Sequence, residues 1–159
     1  MRLFCDEMLG ATARWLRAAG YDASLAEPGR PDAGILEQCR AEGRILVTRD
    51  RQLAQAAAPG VRAVLLTGDD PDRHAQALSA ALGVDWTLAP FTRCLVDNAP
   101  LAPAGAADLA RIPEQSQALP GPFRTCPRCG RVYWPGSHVR RMTALLERWR
   151  ALAAGAGGA

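Results

Sequence analysis

Four short apolar runs, each followed by a segment with helical spacing, fill residues 2–83. "RLFC", Arg2 to Cys5, stops at Asp6, and "MLGATARWLRAAG" follows with Leu9, Ala13, Leu16 and Gly20 on one face. Gly20 supplies a helix stop. "YDASLA" is a weaker strand, and "EPGRP" is a loop broken by Pro28, Gly29 and Pro31. Asp32 opens the helix "DAGILEQCRAEG", which ends at Gly43. "RILVT", Arg44 to Thr48, is the clearest strand, and it runs straight into "RDRQLAQAAAPG", a helix closed by Pro59 and Gly60. "VRAVLL" is a further strand, followed by "TGDDP" and the helix "DRHAQALSAALG". This alternation implies an α/β fold, a parallel sheet flanked by helices. Right-handed crossovers bring every strand's C-terminal end to one edge. Ligands of such sheets bind beyond that edge.

Carboxylates gather there. Asp6 follows the first strand, Asp32 the second, Asp50 the third, and Asp69 and Asp70 the fourth. Carboxylates a few Å apart resist joint ionisation. A hard divalent cation, Mg²⁺ or Mn²⁺, removes that conflict and takes oxygen ligands. Such a site can activate water against a phosphodiester. The plain alternative is helix capping, for which Asp is a preferred residue; Asp70, followed by Pro71, suits that role best. Arg14 and Arg17 share a face of the first helix, and Arg49 and Arg51 flank Asp50. Guanidiniums around an acidic site suit a polyanionic substrate; a solvated helix face is the competing explanation.

The remainder of the chain differs. Residues 1–90 carry ten Arg and twelve acids, whereas residues 91–159 carry nine Arg and four acids, with no lysine in either part. "DWTLAPF" reads as a linker, and the Pro- and Ala-rich segment after Cys94 has no strong period. Val132, Tyr133 and Trp134 read as a strand. "RMTALLERWRALAA" is a closing amphipathic helix with Met142, Leu145, Leu146, Trp149 and Leu152 on one side. No apolar run reaches the ~18–20 residues of a membrane span. Acids at Asp6 and Glu7 rule out a secretory leader, so a cytoplasmic location is expected. Cys5 and Cys39 read as core thiols, and His74 as structural. Core packing is also the expected role of Trp15 and Trp134, ahead of base stacking.

The runs "FCDEMLGATARWLRAAGYD", "DAGILEQCRAEGRILVTRDRQLA", "FTRCLVDN" and "FRTCPRCGRVYWPGSH" together resemble the PIN-like ribonuclease family named for the C-terminal domain of the Mut-seven exonuclease. The resemblance covers the chain to about His138 or the helix after it. It implies a PIN-like nuclease domain over 1–85 and a zinc-ribbon-like domain with its closing helix over 91–154; composition makes 155–159 a disordered tail. It implies metal-dependent cleavage of RNA, with Asp6, Asp32 and Asp50 matching the family's acids and Asp70 a recurrent "D-P". Asp6 and Asp50 would hold Mg²⁺ or Mn²⁺, and Asp32 would position a ligand or the attacking water. Arg14, Arg17, Arg49 and Arg51, with the basic C-terminal part, would hold the RNA. In-line attack would leave a 3′-hydroxyl and a 5′-phosphate. Endonuclease action is expected, and a homodimer is one of the states the resemblance allows.

One position departs from the family pattern, which has cysteine where this chain has Asp97. The matching ligands are Cys94, Cys126 and Cys129, with Asp97 fourth. Structural zinc sites favour cysteine and histidine in a closed tetrahedron. Three readings stand: the four residues bind zinc more weakly than four thiolates would; His138 or a water fills the fourth position; or the segment packs without metal. Two rivals to a nuclease also stand. One is a non-catalytic RNA-binding or adaptor module whose acids serve as caps. The other is a phosphoacceptor domain, disfavoured by the lack of any lysine.

Overall fold

A computed structural model describes residues 1–57 and 60–156. Four parallel strands form the main sheet: β1 (Arg2–Cys5), β2 (Asp22–Leu25), β3 (Ile45–Thr48) and β4 (Ala63–Leu65). They lie in the order β2-β1-β3-β4. The helices between them are α1 (Gly10–Ala18), α2 (Asp32–Glu42), α3 (Arg51–Ala57) and, after β4, α4 (Pro71–Leu82). A single 3₁₀ turn, Glu7–Leu9, joins β1 to α1. Pro59, read as part of a helix stop, lies outside the described residues.

Alternation along the strands decides which helix covers which face. Leu3, Cys5 and Val47 join a cluster with Leu9, Ala13 and Leu16 of the first crossover and Leu78 of α4. Phe4 and Leu46 point the other way, to Ile35, Leu36 and Cys39 of α2 and Leu53 of α3. Burial pushes the Cys5 thiol up to about 12 and the Cys39 thiol up to about 11, as expected of core thiols.

Residues 85–91, which composition reads as a linker, contribute to the core. Trp86 is 1 % exposed, and its indole donates to Ser79 Oγ at 2.9 Å. The Tyr21 hydroxyl accepts from the Asp85 N–H at 2.8 Å. Gly20 makes this fit possible: its φ is +102°, and a Cβ there would sit 2.5 Å from the Ala89 carbonyl oxygen. The composition is loop-like because the backbone is irregular, but the side chains are buried.

The second half builds a small antiparallel sheet from β5 (Ala102–Pro103), β6 (Arg124–Thr125) and β7 (Val132–Tyr133), in that order. Two one-turn helices, α5 (Ala106–Leu109) and α6 (Glu114–Gln117), lie between β5 and β6. The closing helix α7 spans Ser137–Ala156, so Gly155 and Ala156 are helical, while the remaining tail positions 157–159 lie outside the described residues. α7 packs on α1 and α4. Met142, Leu146 and Trp149 enter the same cluster as Leu3 and Val47, whereas Leu152 is 44 % exposed. The Trp149 ring stands edge-on to Trp15 and Trp86, with centroids 5.0 and 4.9 Å away. Its indole and the Arg148 guanidinium both donate to Asp72 at the start of α4. Among the described residues no helix is long and apolar enough to cross a membrane.

Two polar ties fasten the second half to the sheet. Arg17 is buried, and its guanidinium donates to the carbonyls of Ala23, Leu95 and Val96 at 2.8, 3.1 and 2.8 Å. Asn98 donates to Asp22 Oδ1 at 2.7 Å and accepts from the Ala23 N–H at 3.0 Å. Asp22 also pairs with the buried Arg44, at 2.7 Å. Burial alone would raise the Asp22 carboxyl, but Arg44 and Asn98 outweigh it and hold the group at about 2, below the ordinary 3.8. A depressed folded pKa gives stability that is present above 3.8 and lost as pH falls through about 2. Asp22→Asn is therefore expected to cost about 2 kcal/mol at neutral pH. Urea titrations of both proteins at pH 7 and pH 2 check this, and the two curves should converge at the acid end.

Candidate functional site

The sheet order reverses at β1: the chain goes from β1 to β2 on one side, then returns to place β3 on the other. The crevice beyond β1 and β3 is where ligands of such sheets bind. It holds a cleft of about 160 Å³ whose lining includes Asp6, Glu7, Glu27, Asp32 and Asp50. Three acids singled out from the sequence, from three different strand ends, thus share one cavity.

Thr48, the last residue of β3 and fully buried, joins two of them. Its hydroxyl donates to Asp6 Oδ2 at 2.9 Å and accepts from the Asp50 N–H at 2.9 Å. Asp6 is 7 % exposed and makes no capping bond. Asp50 does cap α3: its Oδ1 accepts from the Gln52 and Leu53 N–H groups at 2.7 and 3.1 Å. Among the described residues, no hydrogen bond engages Asp6 Oδ1 or Asp50 Oδ2, and the Asp32 carboxylate has neither a hydrogen bond nor an ion pair. Asp32 occupies the first turn of α2, after Pro31 at the cap.

The other expected residues fall elsewhere. Asp70 does not line the cleft. It caps α4, accepting from the Asp72 N–H at 3.0 Å, with Pro71 as the first helical residue. Arg17 faces the interior, so its guanidinium is not available to RNA phosphates; a buried arginine and a solvated one look alike in sequence. Arg14 is exposed and meets His138, at 3.0 Å. Arg49 pairs with Asp69, and Arg51 is exposed at the start of α3. His74 is structural: it bonds Thr12 Oγ1 and the Gly68 carbonyl, each at 3.0 Å.

The second cluster is Cys94, Asp97, Cys126 and Cys129, whose ligand atoms all lie within 4.8 Å of one another. Among the described residues it is the only group of three or more His, Cys, Asp or Glu side chains that close. Two matching turns build it. The Asn98 N–H returns to the Cys94 carbonyl at 3.1 Å, and the Gly130 N–H to the Cys126 carbonyl at 2.9 Å. Asn98 and Gly130 both have positive φ, 66° and 71°. Asp97 therefore stands in its turn where Cys129 stands in the other. Cys94 Sγ is 3.7 Å from Cys129 Sγ, and Cys126 Sγ is 3.3 Å from Asp97 Oδ2. Burial would raise the Asp97 carboxyl, but the Ala99 N–H and the three thiols hold it at about 2, so it is an ionised oxygen donor at neutral pH. The cluster could bind a metal such as zinc. His138 bonds Arg14 and is not a member.

A family model described as the Mut7-C RNAse domain matches residues 1–146. The chain belongs to that family. No curated protein and no solved structure matches it. The Mut7-C match takes in both the acidic cleft and the Cys/Asp cluster, and by its description the family is one of ribonucleases. Within this Mut7-C chain the contact that sequence reasoning missed is Thr48. The available signal was a hydroxyl on the last residue of a buried strand, two positions before an acid.

Proposed function

We propose that this chain is a metal-dependent ribonuclease with a PIN-like sheet part and a zinc-ribbon-like second part. One contact carries the assignment: the Thr48 hydroxyl holds Asp6 and the start of α3 together while, among the described residues, no donor engages Asp6 Oδ1 or Asp50 Oδ2. Capping explains Asp50 Oδ1 and Asp70, but neither Asp6 nor Asp32, and that difference favours a nuclease over an adaptor.

The donor set in the cleft is all carboxylate oxygen, which suits Mg²⁺ or Mn²⁺. Among the described residues, the cleft acids do not form a close group of three or more. The fit is to an ion held by two carboxylates, Asp6 and Asp50, that keeps several waters. When bound, such an ion polarises a phosphoryl oxygen and lowers the pKa of water. The remaining roles belong to the chain. Asp32 orients the attacking water and takes its proton. The water oxygen bonds to phosphorus in line as the P–O3′ bond breaks, and the departing O3′ takes a proton from solvent water, giving a 3′-hydroxyl and a 5′-phosphate. Arg51, exposed beside Asp50, and Arg49, once a phosphate replaces its partner Asp69, receive flanking phosphates, which suits a strand passing through and hence endonucleolytic cleavage.

The test uses labelled RNA and protein dialysed free of divalent ions, with Mg²⁺ or Mn²⁺ then restored. Cleavage should return with the ion. Thr48→Val should lower kcat about ten- to a hundredfold through misplacement of the two acids, whereas Thr48→Ser, which keeps the hydroxyl, should stay close to the parent. Cleavage indifferent to added ion, or equal in Thr48→Val, would count against the site.

A further inference from the structure

A second groove, of about 570 Å³, lies between α1, the Cys94–Asn98 turn, β7 and the start of α7. Among the described residues, no Asp or Glu lines it. Its cations are Arg14 and Arg131, with the His138 imidazole beside Arg14, and its apolar wall includes Val96 and Trp134. Val96 is 55 % exposed. Arg14 Nη2 meets His138 Nε2 at 3.0 Å. Arginine only donates, so this nitrogen accepts, and the pair stands with no counter-charge of its own. Among the described residues no ion pair or side-chain hydrogen bond engages Arg131.

A groove that joins unpaired cations to a flat apolar wall fits a ligand that alternates anions with flat apolar groups. Single-stranded nucleic acid has that pattern: phosphates for the guanidiniums and a base face for the indole. A duplex carries the phosphates but hides its base faces. The surrounding charge agrees, since residues 91–159 hold nine Arg against four acids. We propose that this groove binds single-stranded RNA outside the acidic cleft, with a base stacked on Trp134 and phosphates on Arg14 and Arg131. The proposal rests on RNA being the substrate class, but not on the cleft being the place of cleavage.

The experiment measures fluorescence anisotropy of a labelled single-stranded RNA of about 12 nucleotides, a length within the usual single-strand site range. The protein carries Asp6→Asn and Asp50→Asn so that cleavage cannot intervene. Trp134→Ala should weaken binding about tenfold or more, and Trp134→Phe should recover most of it. Arg14→Gln with Arg131→Gln should lower the slope of log K against log salt by about 1.4, the share of two phosphates on a single strand. The two arginines are at the surface, so this variant stays informative even where Trp134→Ala fails to fold. A duplex of the same sequence should respond little to Trp134→Ala. Unchanged affinity in Trp134→Ala together with an unchanged salt slope in the arginine variant overturns the groove. Groove-dependent binding with no cleavage by the wild-type chain leaves the groove standing and removes the nuclease assignment.

Discussion

Asp6→Asn/Asp50→Asn is expected to lower RNA cleavage by about a thousandfold or more while the protein stays folded. A carboxylate-held ion is worth several kcal/mol of transition-state charge stabilisation, and each 1.36 kcal/mol is a factor of about ten in rate. Asparagine removes the charge but little else. It caps a helix about as well as aspartate, so the bonds from Gln52 and Leu53 to position 50 survive. Its side-chain oxygen can still accept from Thr48. The substitutions also relieve repulsion between acids around one cleft, so the melting temperature should hold or rise. That pairing of lost activity with kept stability is the signature of a functional acid site. Cleavage retained in the double variant would return the acids to capping.

Loss of metal from the second cluster should have the larger effect on stability. Four donors already lie within 4.8 Å, and a structural zinc site contributes about 10–16 kcal/mol of apparent binding energy when complete. The protein purified without chelator should carry about one zinc per chain by elemental analysis. Stripping it should lower the melting temperature by roughly 10 °C or more. Asp97→Cys should tighten the site, because the turn at Asp97 matches the turn at Cys129 and only the donor atom changes. Competition against a chromogenic chelator would read this directly. Zinc absent from the purified protein, with no response of the melting curve to chelator, would mean that the segment packs without metal.

Much of the first half was legible because its signals are local. Strand β3 and helix α3 follow from "RILVTRDRQLA", where an apolar run gives way to helical spacing at Asp50. The edge acids could be placed because right-handed crossovers leave little choice of topology. What failed were signals that depend on the partner. Arg17 sits beside Arg14 on one helix, yet one is buried against carbonyls and the other exposed; nothing within α1 distinguishes them. Trp86 stands in a segment with loop composition because its burial comes from Ser79 and Trp149, distant in sequence. Strands β5 to β7 have two residues each, too short for any period to register. The Cys/Asp cluster was visible as spacing, but the equivalence of its two turns needed backbone geometry.

Trp149 stands against both Trp15 and Trp86, so the first core built from the sequence is the last to be closed. A ribosome will have released the whole β1–α4 region before α7 exists to cover it. Until then the nascent chain presents Trp15 and Trp86 to the cell as an open apolar face. Final docking joins Trp149 to Trp15, more than a hundred positions away, a long-range closure of the kind that slows folding. Such an exposed intermediate invites association or a chaperone. Synthesis rate, as much as thermodynamic stability, should therefore govern the yield of this protein.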